Sequence, residues 1–283
     1  MDWNILKLLT WTESYFKEHG VDSPRLTAEI LLGHCLGIQR LDLYLQHDRP
    51  LEKEELAGFK SLIQRRRQGE PVAYITGEKG FYELDFAVKP GVLIPRPDTE
   101  LLLEESLSLL KGGEGLRVLE LGVGSGALIV SLAKACPDHR YFACDISDLA
   151  LETARGNAGD LLDSPVHFFQ SSWLTAVRPE PIFDLILSNP PYIPTRDIQD
   201  LAVDIREFEP RLALDGGEDG FDCYRLIIDA ARHCLKPGGH LLMEMGFDQK
   251  PGMTTLVQSL GGFDPPVFFK DLAGHDRVVC LKK

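Results

Sequence analysis

The sequence of 283 residues contains no hydrophobic run of about 18 residues, so no segment of it is expected to span a bilayer. Residues 1–4 lack the basic-then-apolar layout of a signal peptide. The six cysteines are scattered, with no Cys-x-x-Cys pair and no accompanying histidine cluster, which argues against a disulfide framework and a metal site. These absences predict free thiols, no bound metal and a cytoplasmic location.

Positive charge is also in short supply. The 30 Lys and Arg residues are outnumbered by 43 Asp and Glu residues, which gives a net charge of −13. Residues 1–75 carry 10 basic and 11 acidic side chains, whereas the remaining 208 residues carry 20 and 32. A protein that grips duplex nucleic acid normally presents a basic face, so direct nucleic-acid binding is not expected.

The overall composition, 44% hydrophobic and 26% charged, is typical of a soluble globular enzyme. Residues 4–68 show apolar side chains at helical spacing, in runs near residues 5–16, 24–37 and 52–68. Ser23 stands where an N-cap is expected, with Pro24 at the first helical position. Residues 1–76 are therefore predicted to form a small helical domain, which ends near Gly77.

Residues 72–92 have a β-like, turn-rich pattern, and beyond them strand-like runs alternate with helical ones. Such alternation is typical of parallel βαβ units in an α/β sheet, here over residues 77–283. Residues 267–270 and 277–282 predict an antiparallel hairpin at the sheet edge. The strand-like runs are residues 117–121, 141–144, 183–187 and 240–245, and the helical runs are residues 128–134, 149–157 and 226–235.

The first chemical motif is the glycine-dense turn Gly122-Val123-Gly124-Ser125-Gly126, which follows an apolar strand. Glycines let a backbone approach a ligand closely and adopt dihedral angles that a Cβ would forbid. Asp145 lies 19 residues after Gly126, where a carboxylate can accept both hydroxyls of a ribose. The turn therefore predicts a site for a nucleoside cofactor.

The spacing of this turn is G-x-G-x-G, whereas a dinucleotide fingerprint is G-x-G-x-x-G. An acidic residue, Glu120, precedes the first glycine by two positions. This pattern is similar to motif I of class I methyltransferases that use S-adenosyl-L-methionine. The positively charged ammonium and sulfonium of that cofactor would suit an acidic neighbour.

The second motif, Asn189-Pro190-Pro191-Tyr192, follows the apolar run at residues 183–187. The prolines fix the backbone and remove two N–H donors, which leaves nearby carbonyls free to accept. The Asn189 oxygen and a proline-flanked carbonyl can then hold both hydrogens of an NH₂ group, with Tyr192 packed against the flat group. Fixing both N–H bonds would turn the nitrogen lone pair towards an electrophilic methyl group.

Asn-Pro-Pro-Tyr is a feature of methyltransferases that act on exocyclic or amide nitrogens, either adenine N6 or glutamine N5. The stretch Leu93-Ile94-Pro95-Arg96-Pro97-Asp98-Thr99-Glu100 resembles the signature of the release-factor glutamine methyltransferases, the PrmC or HemK family. The resemblance extends over nearly all of residues 71–283, while the N-terminal helices match in kind. The further segments that carry it are residues 71–77, 208–214, 216–220, 235–239, 244–246 and 270–277.

The resemblance implies a Rossmann-like class I methyltransferase domain, a mostly parallel sheet with an antiparallel edge hairpin, preceded by a small helical domain that recognises substrate. It implies S-adenosyl-L-methionine as cofactor and methylation of glutamine N5 in the Gly-Gly-Gln motif of class 1 peptide chain release factors. The implied cofactor contacts are Gly122, Val123, Gly124, Ser125, Gly126, Asp145, Trp173 and Asn189, and the implied catalytic and substrate contacts are Asn189, Pro190, Pro191 and Tyr192.

Two departures from the family pattern stand out: relatives often have aspartate where this chain has Ser172, and threonine is commoner than Val123. The first leaves open which group meets the adenine, and stacking on Trp173 is one answer. Arg96 and Asp98 either gate the pocket or pair with each other. The alternative functions are glutamine methylation of a ribosomal protein, adenine-N6 methylation of nucleic acid, and non-catalytic partner binding.

Overall fold

The computed structural model describes residues 3–283, which fold into two compact units. The first unit comprises the chain up to Glu78 together with Ala202–Phe208, and the second comprises Lys79–Leu201 and Glu209–Lys283. Among residues 3–283, no helix is long and apolar enough to cross a membrane.

The helices of both units, in chain order, are α1 (Ile5–Glu18), α2 (Pro24–Leu36), α3 (Arg40–Leu45), α4 (Lys53–Arg67), α5 (Val72–Thr76), α6 (Thr99–Leu110), α7 (Ala127–Ala135), α8 (Asp148–Leu161), α9 (Val203–Phe208), α10 (Asp222–Cys234) and α11 (Lys250–Leu260). The strands are β1 (Glu78–Phe81), β2 (Leu84–Ala87), β3 (Arg117–Leu121), β4 (Arg140–Asp145), β5 (Val166–Gln170), β6 (Phe183–Ser188), β7 (Leu235–Glu244), β8 (Val267–Lys270) and β9 (Asp276–Lys282). Two 3₁₀ turns span Thr195–Asp200 and Arg211–Ala213.

The helical unit has its own apolar core, because α1, α2 and α4 each turn a hydrophobic face inward. Phe16, Leu31 and Phe59, one from each helix, are almost completely buried. Helix α2 begins at Pro24, as predicted, but the Ser23 side chain makes no capping hydrogen bond. The three helical runs predicted in residues 4–68 are confirmed, and the short helix α3 was not predicted.

Residues 72–76 correct the sequence prediction, because the β-like pattern there folds as helix α5. Pro71 starts the helix, and Gly77 ends it in the left-handed region, where its N–H donates to Ala73. Strand structure begins only at Glu78, where β1 and β2 form a separate two-stranded sheet. Helix α9 is a second difference from the sequence prediction. The segment that contains it belongs to the helical unit, although 123 residues separate Glu78 from Ala202.

The second unit is built on a seven-stranded sheet of order β5-β4-β3-β6-β7-β9-β8. The first five strands of this order run parallel to one another, and β9 runs antiparallel to both β7 and β8. The predicted parallel α/β sheet and the predicted edge hairpin are therefore confirmed. Strand order reverses between β3 and β6, and ligands in such sheets bind where this happens, beyond the carboxyl ends of the strands.

Helices cover both faces of this sheet. Side chains of α6, α7 and α8 pack on one face, and side chains of α10 and α11 pack on the other. Alternate residues of each strand point to opposite faces, as in β6, where Leu185 and Leu187 join the first cluster and Ile186 joins the second. Both faces are buried, so the strand ends are the part of the sheet free to hold a ligand.

Candidate active site

A cavity of about 290 Å³ lies at the carboxyl ends of the central strands, within the second unit. Its walls come from segments that follow four neighbouring strands, from the stretch before α6, and from the stretch between α9 and α10. The lining residues are Gly91, Val92, Leu93, Gly122, Gly124, Asp145, Ile146, Ser147, Ala150, Ser171, Ser172, Trp173, Asn189, Pro191, Pro210, Leu212, Ala213, Asp215 and Cys223.

The glycine turn after β3 forms one wall. Gly122, Gly124 and Gly126 all have positive φ angles, of 74°, 55° and 84°. A Cβ on Gly126 would lie 3.1 Å from the Cβ of Ala154, so the turn packs closely against α8. The sequence pattern therefore marks a backbone that only glycine adopts without strain, with Gly122 and Gly124 facing the cavity.

Asp145, at the end of β4, lies across from this turn. Its Oδ2 accepts the Gly124 N–H at 3.0 Å, and its Oδ1 accepts the Ser147 N–H at 2.9 Å. Each carboxylate oxygen has two lone pairs, so one acceptor position on each oxygen remains for a ligand. The arrangement suits two adjacent hydroxyl groups.

Glu120 has a different role from the one its position suggested. Its carboxylate accepts the Ile129 N–H at 3.0 Å, in the first turn of α7, and its side chain is buried outside the cavity lining. Helix starts have N–H groups without intrahelical partners, and Glu120 satisfies one of them. Burial raises the pKa of Glu120 well above its ordinary value. Glu120 therefore stabilises the start of α7, directly after the glycine turn.

Trp173 closes the side of the cavity beyond β5. Its φ angle of 52° is unusual for a bulky residue, and the Cys144 thiol donates to its carbonyl at 3.4 Å. A Cβ on Gly122 would lie 3.6 Å from the Trp173 ring, so the indole packs over the first glycine of the turn. Ser172 is exposed and also lines the cavity.

Asn189 follows β6 directly and faces the same cavity. Its Nδ2 donates to Thr99 Oγ1 at 3.0 Å. Among the hydrogen bonds of residues 3–283, none uses its Oδ1 or the carbonyl oxygen of Pro190. Among the described residues, both acceptors that the sequence assigns to an NH₂ group are therefore without a hydrogen-bond partner.

Tyr192 is not among the residues that line the cavity. Its hydroxyl donates to Glu244 Oε1 at 3.3 Å, and its carbonyl accepts the Gln249 side-chain amide at 3.0 Å. A Cβ on Gly216 would lie 2.8 Å from Tyr192 Cα, so only glycine lets the two backbones approach this closely. These contacts fix the loop conformation on which the Asn189 position depends.

The predicted site residues thus fall into two groups. Six line the cavity together, namely Gly122, Gly124, Asp145, Trp173, Asn189 and Pro191. The other five lie outside the lining, namely Val123, Ser125, Gly126, Pro190 and Tyr192. Val123, Ser125 and Pro190 are buried.

Two residues that the sequence did not single out, Thr99 and Glu244, stand next to Asn189 in a hydrogen-bond chain. Thr99 Oγ1 donates to Glu244 Oε2 at 2.6 Å. Burial raises the pKa of Glu244 to about 7, against hydrogen bonds and a nearby Arg277 that lower it. Both residues lie in segments that carry the family resemblance, and that is the sequence signal that could have found them.

Arg96 and Asp98 do not pair with each other, which was one of the two roles considered for them. Arg96 forms an ion pair with the buried carboxylate of Glu209, and Asp98 pairs with Arg277 at 3.2 Å. Neither side chain lines the cavity. Glu209 also accepts the Ile94 N–H at 3.2 Å, so it ties the stretch before α6 to the stretch before α10.

The titratable side chains of the described residues form no metal cluster, and the thiol at the cavity is not ionised. The described residues contain no group of three or more His, Cys, Asp or Glu side chains that could hold a metal ion. Cys223 is the thiol in the lining, and burial raises its pKa to about 11. The Cys223 thiol therefore stays protonated at neutral pH.

Comparison with known sequences identifies the family. A model of the PrmC N-terminal domain matches residues 7–77, and a model of the methyltransferase small domain matches residues 96–207. A release factor glutamine methyltransferase of Geobacter sulfurreducens is 44% identical over 98% of this chain and 96% of its own length. The chain belongs to the release factor glutamine methyltransferase family. A second member, from Rhodopirellula baltica, is 39% identical over 99% of this chain and 97% of its own length.

Solved structures agree with this fold. A methyltransferase from Pyrococcus furiosus superposes with a TM-score of 0.53 at 20% identity, covering 72% of this chain and 91% of its own. A ribosomal protein L11 methylase from Lactobacillus delbrueckii subsp. bulgaricus gives 0.50 at 19% identity, covering 69% and 82%. The second unit thus has the Rossmann-like methyltransferase fold.

This family member is an S-adenosyl-L-methionine-dependent methyltransferase. The cavity fits that cofactor on three counts. Asp145 keeps two acceptor positions, Gly122 and Gly124 allow close approach to the backbone, and the Trp173 ring supplies an apolar surface.

Proposed function

We propose that this enzyme methylates the side-chain nitrogen N5 of the glutamine in the Gly-Gly-Gln motif of class 1 peptide chain release factors. The observation that carries the proposal is the position of Asn189. It lines the same cavity as the glycine turn and Asp145, with its Oδ1 free of partners within the described chain. An amide acceptor beside a nucleoside site suits an NH₂ substrate.

Cofactor binding falls to the residues of the first motif. In this proposal the turn Gly122 to Gly126 provides a close-fitting backbone, Asp145 accepts the ribose hydroxyls, and Trp173 packs against the adenine. The cofactor supplies a methyl group activated by a positively charged sulfonium. The negative charge of Asp145 lies on the cavity surface, where it favours a cationic ligand.

Substrate binding falls to the second motif. Asn189 Oδ1 would accept one hydrogen of the glutamine amide and the Pro190 carbonyl would accept the other, so that the nitrogen lone pair is left free for the methyl group that the cofactor supplies. The rate gain comes from positioning and exclusion of water. We assign no side chain as a base, because Glu244, the carboxyl group nearest in the hydrogen-bond chain, is turned towards Thr99 and Tyr192. The proton therefore passes to water.

The helical domain, residues 1–76, is proposed to recognise the release factor, and residues 77–283 to carry the chemistry. No described residue of the helical unit is among those that line the cavity, so in this proposal the unit contacts the substrate protein and takes no part in the chemistry. Remote contacts can orient a large substrate at a reactive centre. Since release factors act in translation, we assign the reaction to the cytoplasm.

The test is a transfer assay with radiolabelled S-adenosyl-L-methionine and three substrates: a class 1 release factor, ribosomal protein and duplex DNA. We expect label in the release factor, at the side-chain amide of the Gly-Gly-Gln glutamine by mass spectrometry. A release factor with that glutamine changed to alanine should take up none. Label in DNA or ribosomal protein, with none in the release factor, would refute the proposed substrate.

A further inference from the structure

The orientation of the Asn189 side chain decides whether the proposed substrate contact exists. An asparagine amide presents an acceptor on one side and two donors on the other. Rotated by half a turn, Asn189 would offer N–H groups to the substrate NH₂, and two donors do not bind each other. Something must therefore hold the amide in one orientation.

The Glu244–Thr99–Asn189 hydrogen-bond chain can do this. An ionised carboxylate only accepts, so Glu244 commits the Thr99 hydroxyl hydrogen to itself over 2.6 Å. The Thr99 oxygen can then only accept from its other neighbour, 3.0 Å away, and that neighbour must be Asn189 Nδ2. The amide orientation follows from the polarity of the whole chain.

The fold brings these three residues together from distant parts of the sequence. Strands β6 and β7 are paired so that Ser188 lies opposite Met243, which places the following residues, Asn189 and Glu244, side by side. Thr99 is the first residue of α6 and is buried against them. The roles predicted for the glycine turn and for Asn189-Pro190-Pro191-Tyr192 do not involve Thr99 or Glu244.

We propose that Glu244, acting through the Thr99 hydroxyl, is a positioning residue that keeps the Asn189 carbonyl oxygen facing the substrate amide. The proposal rests on the proposed function, since it specifies how Asn189 is held for that reaction. Neither Glu244 nor Thr99 lines the cavity, so both act through Asn189.

The charge state of Glu244 then controls the site. Burial raises its pKa to about 7, so a proton is taken up as the pH falls through the neutral range. Protonated Glu244 can donate to Thr99, which frees the Thr99 hydroxyl to donate to Asn189 Oδ1. The wrong amide orientation becomes available, and turnover should fall below about pH 7.

The other charged or titratable groups that face Glu244 are Arg277 of β9, Asp98 before α6, Tyr192 after β6 and Tyr224 of α10. Burial raises the pKa of both tyrosines, and the pKa of Arg277 is also raised by its acidic neighbours, so none of the three titrates near neutrality. Asp98 raises the pKa of Glu244, and the variant Asp98→Asn removes this contribution.

The experiment measures single-turnover methylation of release factor from pH 5.5 to 9 in full-length variants. Thr99→Val removes the hydroxyl while keeping the side-chain shape, and we expect kcat to fall roughly 10-fold or more at pH 8, with cofactor affinity within twofold. Thr99→Ser keeps the hydroxyl and should restore most of the rate. Thr153→Val, which removes another buried threonine hydroxyl outside the cavity lining, is the matched control and should behave as wild type.

The pH profile separates positioning from packing. The acidic fall in rate should be present in wild type and Thr99→Ser, and absent in Glu244→Gln and Thr99→Val. In Asp98→Asn it should persist and move to lower pH. Undiminished turnover in Thr99→Val, equal losses in Thr99→Val and Thr99→Ser, or an acidic fall that persists in Glu244→Gln would each overturn the proposal.

Failure of the proposed function gives a different pattern. In that case wild type does not label release factor, or Asn189→Ala turns over as fast as wild type. If only the positioning role is wrong, wild type is active and Asn189→Ala is impaired, while Thr99→Val is not.

Discussion

The helical unit and the sheet unit each bury a glutamate, and they treat it in opposite ways. Glu29 of α2 is buried, which alone would raise its pKa, but hydrogen bonds from Tyr44, Arg40 and Arg25 outweigh burial and lower it. Glu244 of β7 is equally buried and is hydrogen-bonded by two hydroxyl groups, and its pKa rises to about 7. The Glu29 carboxylate stays ionised and its charge is compensated by its neighbours. The Glu244 carboxyl group can gain or lose a proton near neutral pH.

This difference follows what each unit is proposed to do. A compensated carboxylate joins helices firmly, because two guanidinium groups satisfy its charge. An under-compensated carboxylate costs stability and is found more often at sites of chemistry. Glu244 adjoins the motif that is proposed to bind substrate, and Glu29 lies in the unit whose described residues are absent from the cavity lining.

The largest effect is expected at Asn189 in the sheet unit. Asn189→Ala removes the proposed acceptor, and loss of one preorganised polar group should lower kcat about 10²–10³-fold, or roughly 3–4 kcal/mol. Asn189→Asp keeps an oxygen in the same volume and should retain partial activity. Single-turnover rates beside calorimetric cofactor titrations measure both, with cofactor affinity changing much less than turnover. Equal rates in wild type and Asn189→Ala would remove Asn189 from the chemistry.

The next effect concerns the helical unit as a whole. Deleting residues 1–76 should lower kcat/KM for intact release factor by roughly 10²-fold, because remote orienting contacts are lost. Cofactor binding should stay near normal, as measured by calorimetry. A short Gly-Gly-Gln peptide should be a poor substrate for both forms.

Helix α9 provides the check on this deletion. Its Asp204 lies 3.6 Å from Arg66, and its Val203 packs close to Gly69, so truncation removes the packing partners of α9. If cofactor binding is lost together with methylation, the helical unit is a structural brace and the two regions are not separable.

A third effect should appear in the pH dependence of stability. The folded-state pKa of Glu244 is raised from 4.5 to about 7, so its favourable contribution is complete below pH 4.5 and is lost as the pH rises through 7. Over that range wild type should lose about 3 kcal/mol of unfolding free energy relative to Glu244→Gln. Urea unfolding of both proteins between pH 5 and 8.5 measures the difference. Parallel curves would show that the carboxyl group is not desolvated.

The smallest effect should have the opposite sign, at Glu29. Its lowered pKa means that its stabilising contribution is present above pH 4.5 and is lost as the pH falls below that value. Glu29→Gln should cost about 1–2 kcal/mol at pH 7, since Arg25 and Arg40 are partly exposed and screened. Denaturant unfolding is the measurement, and kcat for release factor should not change. A stabilised Glu29→Gln protein would contradict the comparison of the two glutamates.

The parts of this molecule that the sequence predicted are those with a short-range signal. The G-x-G-x-G spacing corresponds to three positive-φ glycines at alternate positions of one turn, and Asn-Pro-Pro-Tyr corresponds to a rigid loop after a strand. The apolar runs of β3, β4 and β6 come from burial on both faces of the sheet. These features are encoded within about ten residues each.

The parts that were missed depend on long-range contacts. Thr99 and Glu244 meet across 145 residues, and no periodicity or spacing connects them. The same holds for Arg96, whose partner Glu209 lies 113 residues away, and for α9, whose packing partners lie in the helical unit. At residues 72–76 the β-branched and aromatic side chains favour a strand. The segment nevertheless forms a helix, with Pro71 at its N-cap and Gly77 at its C-cap.

The position of Trp173 gives the enzyme a built-in optical probe. The chain has three tryptophans, and the other two, Trp3 and Trp11, lie in the helical unit with their ring centroids 6.3 Å apart. Trp173 alone among them lines the cavity, with its ring over Gly122. In a Trp3→Phe/Trp11→Phe background, its fluorescence would report cofactor binding directly, without a labelled ligand or a coupled assay.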